Sequence, residues 1–158
     1  MNGQRHTRTR GFSLLEVVIV VAIIAILAAI GIPRMSRGSR GANDSAVSGN
    51  LAVLRNAIDL FSVEHGGTFP TAANINEQLT QYTNTSGATS ETKTTTHLFG
   101  PYVRSIPPLP VGARKGETKI AAADANDVGW IYIASTGSIR TNTTEDEKDD
   151  SDKLYSTY

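Results

Sequence analysis

From Val17 to Ile32 the chain reads VVIVVAIIAILAAIGI, sixteen apolar residues without a charge. Such a run has no polar face, so its surroundings must be apolar on every side. At about 1.5 Å per residue it covers roughly 24 Å, and counted from Phe12 it reaches roughly 30 Å, the thickness of a bilayer's hydrocarbon core. The longer count takes in Ser13 and Glu16. Gly31 and Pro33 then interrupt the pattern; Pro33 removes a backbone donor and crowds the preceding turn, which predicts a kink or a locally melted turn there. Residues Arg34 to Gly41 (RMSRGSRG) form a polar bridge, either a loosened helical stretch or a linker. Beyond it, with Asn43 or Asp44 as cap, Val47, Leu51, Leu54, Ile58 and Phe61 recur at steps of four and three. That spacing predicts an amphipathic helix whose apolar face packs on a sheet and which stops at Gly66-Gly67. A coiled coil has the same spacing, but fewer than three heptads are present.

The remaining pattern is of short elements. Gly67 to Thr71 (GTFPT) is a turn, and Ile75, Leu79 and Tyr82 fit one face of a short second helix. Thr83 to Thr96 is rich in threonine and serine and reads as a flexible surface loop. Phe99 to Pro110 holds too much proline for a central strand and reads as a packed, irregular connection. Strands are predicted at Lys119 to Ala123, Gly129 to Ala134 and Ser138 to Thr141, with Thr136-Gly137 as a hairpin turn. In the second of these, Trp130, Tyr132 and Ala134 face one way and Ile131 and Ile133 the other.

The chain of 158 residues has room for one modest soluble domain beside its apolar run. Fifteen basic residues balance fifteen acidic ones, so no excess charge argues for a nucleic-acid partner. The charges are unevenly spread. Arg5, Arg8 and Arg10 precede the apolar run, Arg34, Arg37 and Arg40 follow it, and acids crowd Glu145 to Lys153, predicting a solvated acidic tail over 143–158. Cysteine is absent, which excludes disulfides, thiolate nucleophiles and cysteine-ligated metals and leaves the domain to fold by packing alone.

A secretory signal peptide also joins a basic stretch to an apolar one, but its apolar core is usually only about 7 to 15 residues long. It also gains nothing from Glu16, an acid of a kind that costs about 2.5 to 3.5 kcal/mol near a membrane centre. The string Gly11-Phe12-Ser13-Leu14-Leu15-Glu16, behind a short basic leader and ahead of the apolar run, resembles the leader of type IV pilins and type II secretion pseudopilins. The resemblance implies that a prepilin peptidase cuts between Gly11 and Phe12 and methylates the amine of Phe12, and that Pro33 occupies the family's helix-bending position. Gly11 suits a protease cleft because it carries no side chain. Glu16 then has a physical partner in the N-terminal amine of a neighbouring subunit, a pairing that sets axial register; a glutamate that merely reaches to the interface is the plainer alternative. With three arginines on each flank the positive-inside rule does not set orientation. The resemblance implies a cytoplasmic leader and a periplasmic head at the bacterial inner membrane.

The expected fold is therefore α+β: a long N-terminal helix packed on a small antiparallel sheet, as in pilin heads. The expected organisation is a leader over 1–11, a membrane-spanning assembly helix over 12–33, its amphipathic continuation over 34–65, a head over 66–142 and the acidic tail over 143–158. Glycine, an aromatic residue, proline and threonine after the long helix, and the proline pair after Tyr102, also resemble the pseudopilins. The expected partners are copies of the chain itself, prepilin peptidase, other pseudopilins and the inner-membrane assembly platform, with no nucleic acid.

No catalytic constellation is present. His6, His65 and His97 stand apart, and neither an HExxH motif nor a phosphate-binding loop occurs, so no enzymatic activity, metal or other cofactor is expected. His65 beside Gly66 reads as a helix-end residue. Major pseudopilins often carry calcium in a glycine- and aspartate-rich C-terminal loop. Asp124, Asp127 and the tail raise the same question here, but ASTGSIRTNTTEDEKDD lacks glycine among its acids, which favours a solvated tail over an oxygen cage. Three functional classes follow: a pseudopilus subunit driving protein export; a type IV or minor competence-type pilin in a surface filament, against which the missing cysteine pair counts; and a membrane-anchored binding protein or enzyme, which has no need of Glu16.

Overall fold

The computed structural model describes residues 11–158, with 30–39 described by backbone alone. The basic leader therefore lies outside the described residues, and the bend expected at Pro33 lies outside those whose side chains are described. The elements, in chain order, are helix α1 (Leu14–Glu64), helix α2 (Ile75–Thr80), strands β1 (Tyr82–Thr83), β2 (Thr89–Ser90), β3 (Lys119–Ala121), β4 (Val128–Ile133) and β5 (Ser138–Thr141), and a 3-10 turn at Tyr155–Thr157. The chain divides into two compact units, Met1–Ser39 and Arg40–Tyr158. An α+β organisation, a long helix with small sheets, agrees with the expected fold class.

In the second unit the predicted helical face is the buried one. Val47, Leu51, Leu54, Ile58 and Phe61 share a single cluster with Ile75, Leu79, Leu109, Ile120, Trp130, Tyr132 and Ile139. The helix ends where glycine permits it. Gly66 and Gly67 both take positive φ, and the Gly67 N–H donates to the Ser62 carbonyl at 2.8 Å, closing the terminal turn. Of the residues assigned to one face of the second helix, Ile75 and Leu79 are buried in α2, whereas Tyr82 falls beyond its end in β1.

The sheets correct two expectations. The order of the three-stranded sheet is β3-β4-β5; β4 and β5 are antiparallel, as the hairpin at Thr136-Gly137 requires, but β3 and β4 are parallel, so the sheet is mixed. Parallel neighbours usually need a crossover of a dozen residues or more. Here β3 is so short that residues 122–127, at up to about 3.5 Å each, retrace its length and step across to β4. Thr83 to Thr96, expected as a flexible loop, begins with a small antiparallel ribbon in which Tyr82 pairs with Ser90 and Thr83 with Thr89. Its turn is built by Asn84, whose side-chain oxygen accepts the N–H groups of Ser86 at 3.0 Å and Ala88 at 2.9 Å, a local bonding pattern that composition does not reveal.

Aromatic tips pin the irregular connections. The Trp130 indole donates to the Pro107 carbonyl at 2.8 Å, the Tyr132 hydroxyl to the Pro70 carbonyl at 2.9 Å, and the Tyr102 hydroxyl to the Glu64 carboxylate at 2.7 Å. Burial pushes the Tyr132 hydroxyl up to about 12, so it remains a donor at any physiological pH. Gly137 is constrained twice, by a left-handed φ of 70° and by the Phe69 ring, which would stand 2.5 Å from an added Cβ. Both outer strands have partners besides β4. The Asn76 amide donates to the Ile120 carbonyl and accepts the Ile120 N–H, each at 2.9 Å, so β3 ends on a side chain. On β5, Arg55 reaches the Ile139 carbonyl at 3.3 Å, and the Thr141 hydroxyl donates to the Tyr155 carbonyl at 2.7 Å.

The acidic tail is the third correction. Expected as solvated and flexible, it folds back on the head: Tyr155 is buried in the core, its hydroxyl donates to Asp44 of α1, and Lys148 bridges Leu154. The acids do not merely repel one another, because Asp149 collects donors. Its carboxylate accepts the Tyr158 hydroxyl and the N–H groups of Ser151 at 2.7 Å and Lys153 at 2.9 Å. These bonds, the Tyr158 hydroxyl foremost and then the Lys153 and Ser151 amides with the Lys153 charge, hold Asp149 below its ordinary value of 3.8.

Two outcomes follow for the tail. Tyr155→Ala, which empties a core position, is expected to lower stability by about 3 kcal/mol in urea unfolding of the detergent-solubilised chain. Because Asp149 is depressed in the folded state, its contribution is full above 3.8 and is lost as the pH falls below that value. An acid titration of the near-ultraviolet tyrosine signal is expected to show that loss, and Asp149→Asn to remove it.

Candidate functional site

The candidate site is the start of α1. Phe12 to Ala29 is exposed at every position, so this apolar segment has no partner within its own unit among the described residues. Among the described residues no helix is long and apolar enough to cross a membrane. The span 12–33 expected from the sequence runs past Ala29 into residues described by backbone alone.

Ser13 and Glu16 begin the helix together. The Glu16 N–H donates to the Ser13 hydroxyl at 3.3 Å, and the Ser13 N–H donates to Glu16 Oε2 at 2.9 Å. This is a reciprocal capping box, in which each side chain satisfies a backbone donor left free by the first turn. The sequence reading missed it, although Ser13-Leu14-Leu15-Glu16 has the required serine and glutamate three apart. Glu16 is thus engaged locally in the uncleaved chain, through one carboxylate oxygen.

Gly11 and Phe12 lie exposed immediately before this box. A Cβ added to Gly11 would meet nothing within 4 Å. The fold of the described residues therefore sets no steric requirement for glycine at this position.

The other residues weighed from the sequence are occupied structurally. His65 stacks on Phe61 with ring centroids 3.8 Å apart, and its ring nitrogens lie 2.8 Å from the Phe61 carbonyl and 2.9 Å from that of Asn84. Asp124 lies 3.2 Å from Arg114 and accepts from Asn142 at 2.8 Å, while Asp127 lies 2.7 Å from Lys119. These partners, Asn142 before Arg114 for the first acid and Lys119 for the second, hold both carboxyls below the ordinary range. Among the described residues no three histidine or acidic side chains come together as metal ligands would. A cavity of about 320 Å³ over the outer sheet face is lined by Arg114, Asp124, Ile131, Arg140 and Glu147, and lies apart in sequence from the helix start.

Comparison with known proteins bears on this same segment. Residues 6–32 match the prokaryotic N-terminal methylation motif. The chain thus carries a type IV pilin-like leader, which implies processing by prepilin peptidase and assembly into a filament; the match does not extend to the head. No curated protein and no solved structure matches the chain.

The capping box gives a direct expectation. Ser13→Ala is expected to weaken the first turn of the uncleaved chain by about 1 kcal/mol, seen as faster amide exchange at Glu16 and Val17, whereas Ser13→Thr retains the protection.

Proposed function

We propose, with the type IV pilin-like leader as premise, that the chain is a structural subunit of a type II secretion pseudopilus. Prepilin peptidase cuts between Gly11 and Phe12 and methylates the Phe12 amine. The apolar segment holds the subunit in the bacterial inner membrane with its head in the periplasm, until the assembly platform stacks it with copies of itself and with other pseudopilins. The filament's movement then drives protein export.

The observation that carries this reading is the methylation motif at residues 6–32, joined to an apolar helical segment exposed from Phe12 to Ala29. Exposed apolar area of this extent is unstable in water and is removed by lipid or by other subunits. The pseudopilus is preferred to a surface pilus because the head closes its C-terminal region without a disulfide, by burying Tyr155 and capping β5 with the tail.

Glu16 is assigned the pairing role. Cleavage creates a positive amine at Phe12, and a carboxylate inside an apolar bundle is stable when a neighbour's amine neutralises it. Capping and pairing make different demands. Glutamine caps a helix nearly as glutamate does but carries no charge.

In cells with the assembly machinery, Glu16→Gln is therefore expected to give normal insertion and cleavage but at least about tenfold fewer filaments, the loss of one buried charge pair. Ser13→Ala, which removes the cap and keeps the charge, is expected to assemble. Filaments of Glu16→Gln at the normal level would defeat the pairing role. Mass spectrometry of the native product should show a mature chain beginning with methylated Phe12, and retention of Met1 would defeat the whole reading.

A further inference from the structure

Just past the end of α1, His65 is half-buried with both ring nitrogens engaged. Its Nδ1 lies 2.8 Å from the Phe61 carbonyl and its Nε2 lies 2.9 Å from the Asn84 carbonyl. A carbonyl oxygen accepts and cannot donate, so each ring nitrogen has to supply a proton. A neutral imidazole carries one N–H and turns a lone pair toward the second oxygen; the imidazolium satisfies both contacts. His97, the other histidine among the described residues, makes no such demand. Its Nδ1 meets the hydroxyls of Thr94 at 3.0 Å and Thr96 at 3.1 Å, groups that can donate or accept.

The surroundings of the ring suit a cation. His65 follows the last residue of α1, where the helix presents its free carbonyls and the negative end of its dipole. The ring stacks on Phe61 with centroids 3.8 Å apart and meets Phe99 edge-on at 5.2 Å, and an aromatic face attracts positive charge. Few titratable groups lie near it. From α1 there is Glu64, whose carboxylate accepts the Tyr102 hydroxyl at 2.7 Å. From the irregular connection there is Tyr102 itself, which burial pushes above its ordinary range and so keeps protonated. The ribbon turn from Asn84 to Gly87 carries no ionisable side chain, and neither do Thr68, Phe69 and Gln78, which line the adjoining cavity. Histidine is the side chain whose charge ordinarily changes between about pH 5 and 8.

We propose that His65 is a pH-sensitive clasp: as the imidazolium it ties the end of α1 to the turn of the β1–β2 ribbon, and on losing a proton it releases that turn. The bond to Phe61 lies within one helical turn, whereas the bond to Asn84 joins segments 19 residues apart. Ordering the distant segment costs more conformational entropy, so the neutral ring keeps the local bond and gives up the ribbon. The turn has a second support that does not titrate. The buried Gln78 amide donates to the Gly87 carbonyl at 2.9 Å and accepts the Thr71 N–H at 2.8 Å. Release therefore frees the Asn84 side while the Gly87 side stays fixed. A cavity of about 180 Å³, lined by Phe61, Phe69, Gln78 and the turn residues Thr85 to Gly87, opens wider as the turn swings away. The clasp lies wholly within the second unit and is independent of the filament reading.

The Asn84 and Gly87 amides report on the turn, because they donate to the Ala88 carbonyl at 3.1 Å and the Asn84 carbonyl at 2.9 Å. In the detergent-solubilised full chain, nitrogen NMR of the His65 ring is expected to show N–H at both positions at about pH 5 and at Nδ1 alone at about pH 8. Over the same interval the two amides, with exchange rates corrected for their intrinsic pH dependence, are expected to lose about tenfold in protection, the effect of one charge-assisted hydrogen bond. His65→Gln, which carries no titrating charge, is expected to abolish that pH dependence, and His97→Gln to preserve it. A folded chain whose His65 ring carries a single N–H at about pH 5 overturns the clasp. Protection that stays constant while the ring loses its proton overturns it as well, as does a change in protection that persists in His65→Gln.

Discussion

The contact between one line of α1 side chains and the aromatic face of β4 organises the head. Val47, Leu51, Leu54, Ile58 and Phe61 share a cluster with Trp130 and Tyr132, and no disulfide supplements it. A core of this size leaves little stability in reserve. The same aromatics reach beyond the core with their polar tips, and the carbonyls of Pro70 and Pro107 receive them. Segments that cannot form strands are thereby held by the residues that fill the centre. Packing and hydrogen bonding are coupled at Trp130 and Tyr132, so loss of either side chain releases a connection as well as opening a cavity.

At its other end α1 presents a different balance. From Phe12 to Ala29 the apolar surface has no cover within its own unit among the described residues, and its polar chemistry is concentrated in Ser13 and Glu16. Their capping box suits the uncleaved chain, where Ser13 has residues before it. Under the proposed processing Phe12 becomes the first residue and brings a positive charge one position from Ser13. Under the proposed pairing the carboxylate then has two competing donors, the local Ser13 amide and the amine of a neighbouring copy, and the charge-assisted bond is the stronger of the two. One glutamate can thus hold the helix start before processing and join subunits afterwards.

Much of this was legible in the residues. The steps of four and three from Val47 to Phe61 named the buried face, Gly66-Gly67 named the helix end, and GWIYIA named the central strand with Trp130 and Tyr132 on the same side. These features are written in periodicity and in local backbone freedom, both of which belong to short windows. The parallel pairing of β3 was not legible, because strand direction depends on how residues 122–127 turn back. The ribbon at Tyr82–Ser90 was hidden by a polar composition whose order comes from one asparagine's side chain. The folded tail was hidden because a run of acids looks repulsive until Tyr155, Tyr158 and the local amides are counted as donors. At the helix start the leader and Glu16 are legible as a motif, while the capping box in the same six residues is not, since the carboxylate's reach back to the Ser13 amide depends on where the first helical turn begins.

The Asn76 amide on Ile120 has a consequence for crowding. An open strand edge is a template for another chain, and subunits stacked in a polymer hold their heads at very high local concentration. With Ile120 of β3 held by the Asn76 amide and Thr141 of β5 held by the tail, each outer strand of the three-stranded sheet has part of its edge already engaged. In the proposed filament such blunted edges disfavour cross-β growth between heads that stand side by side.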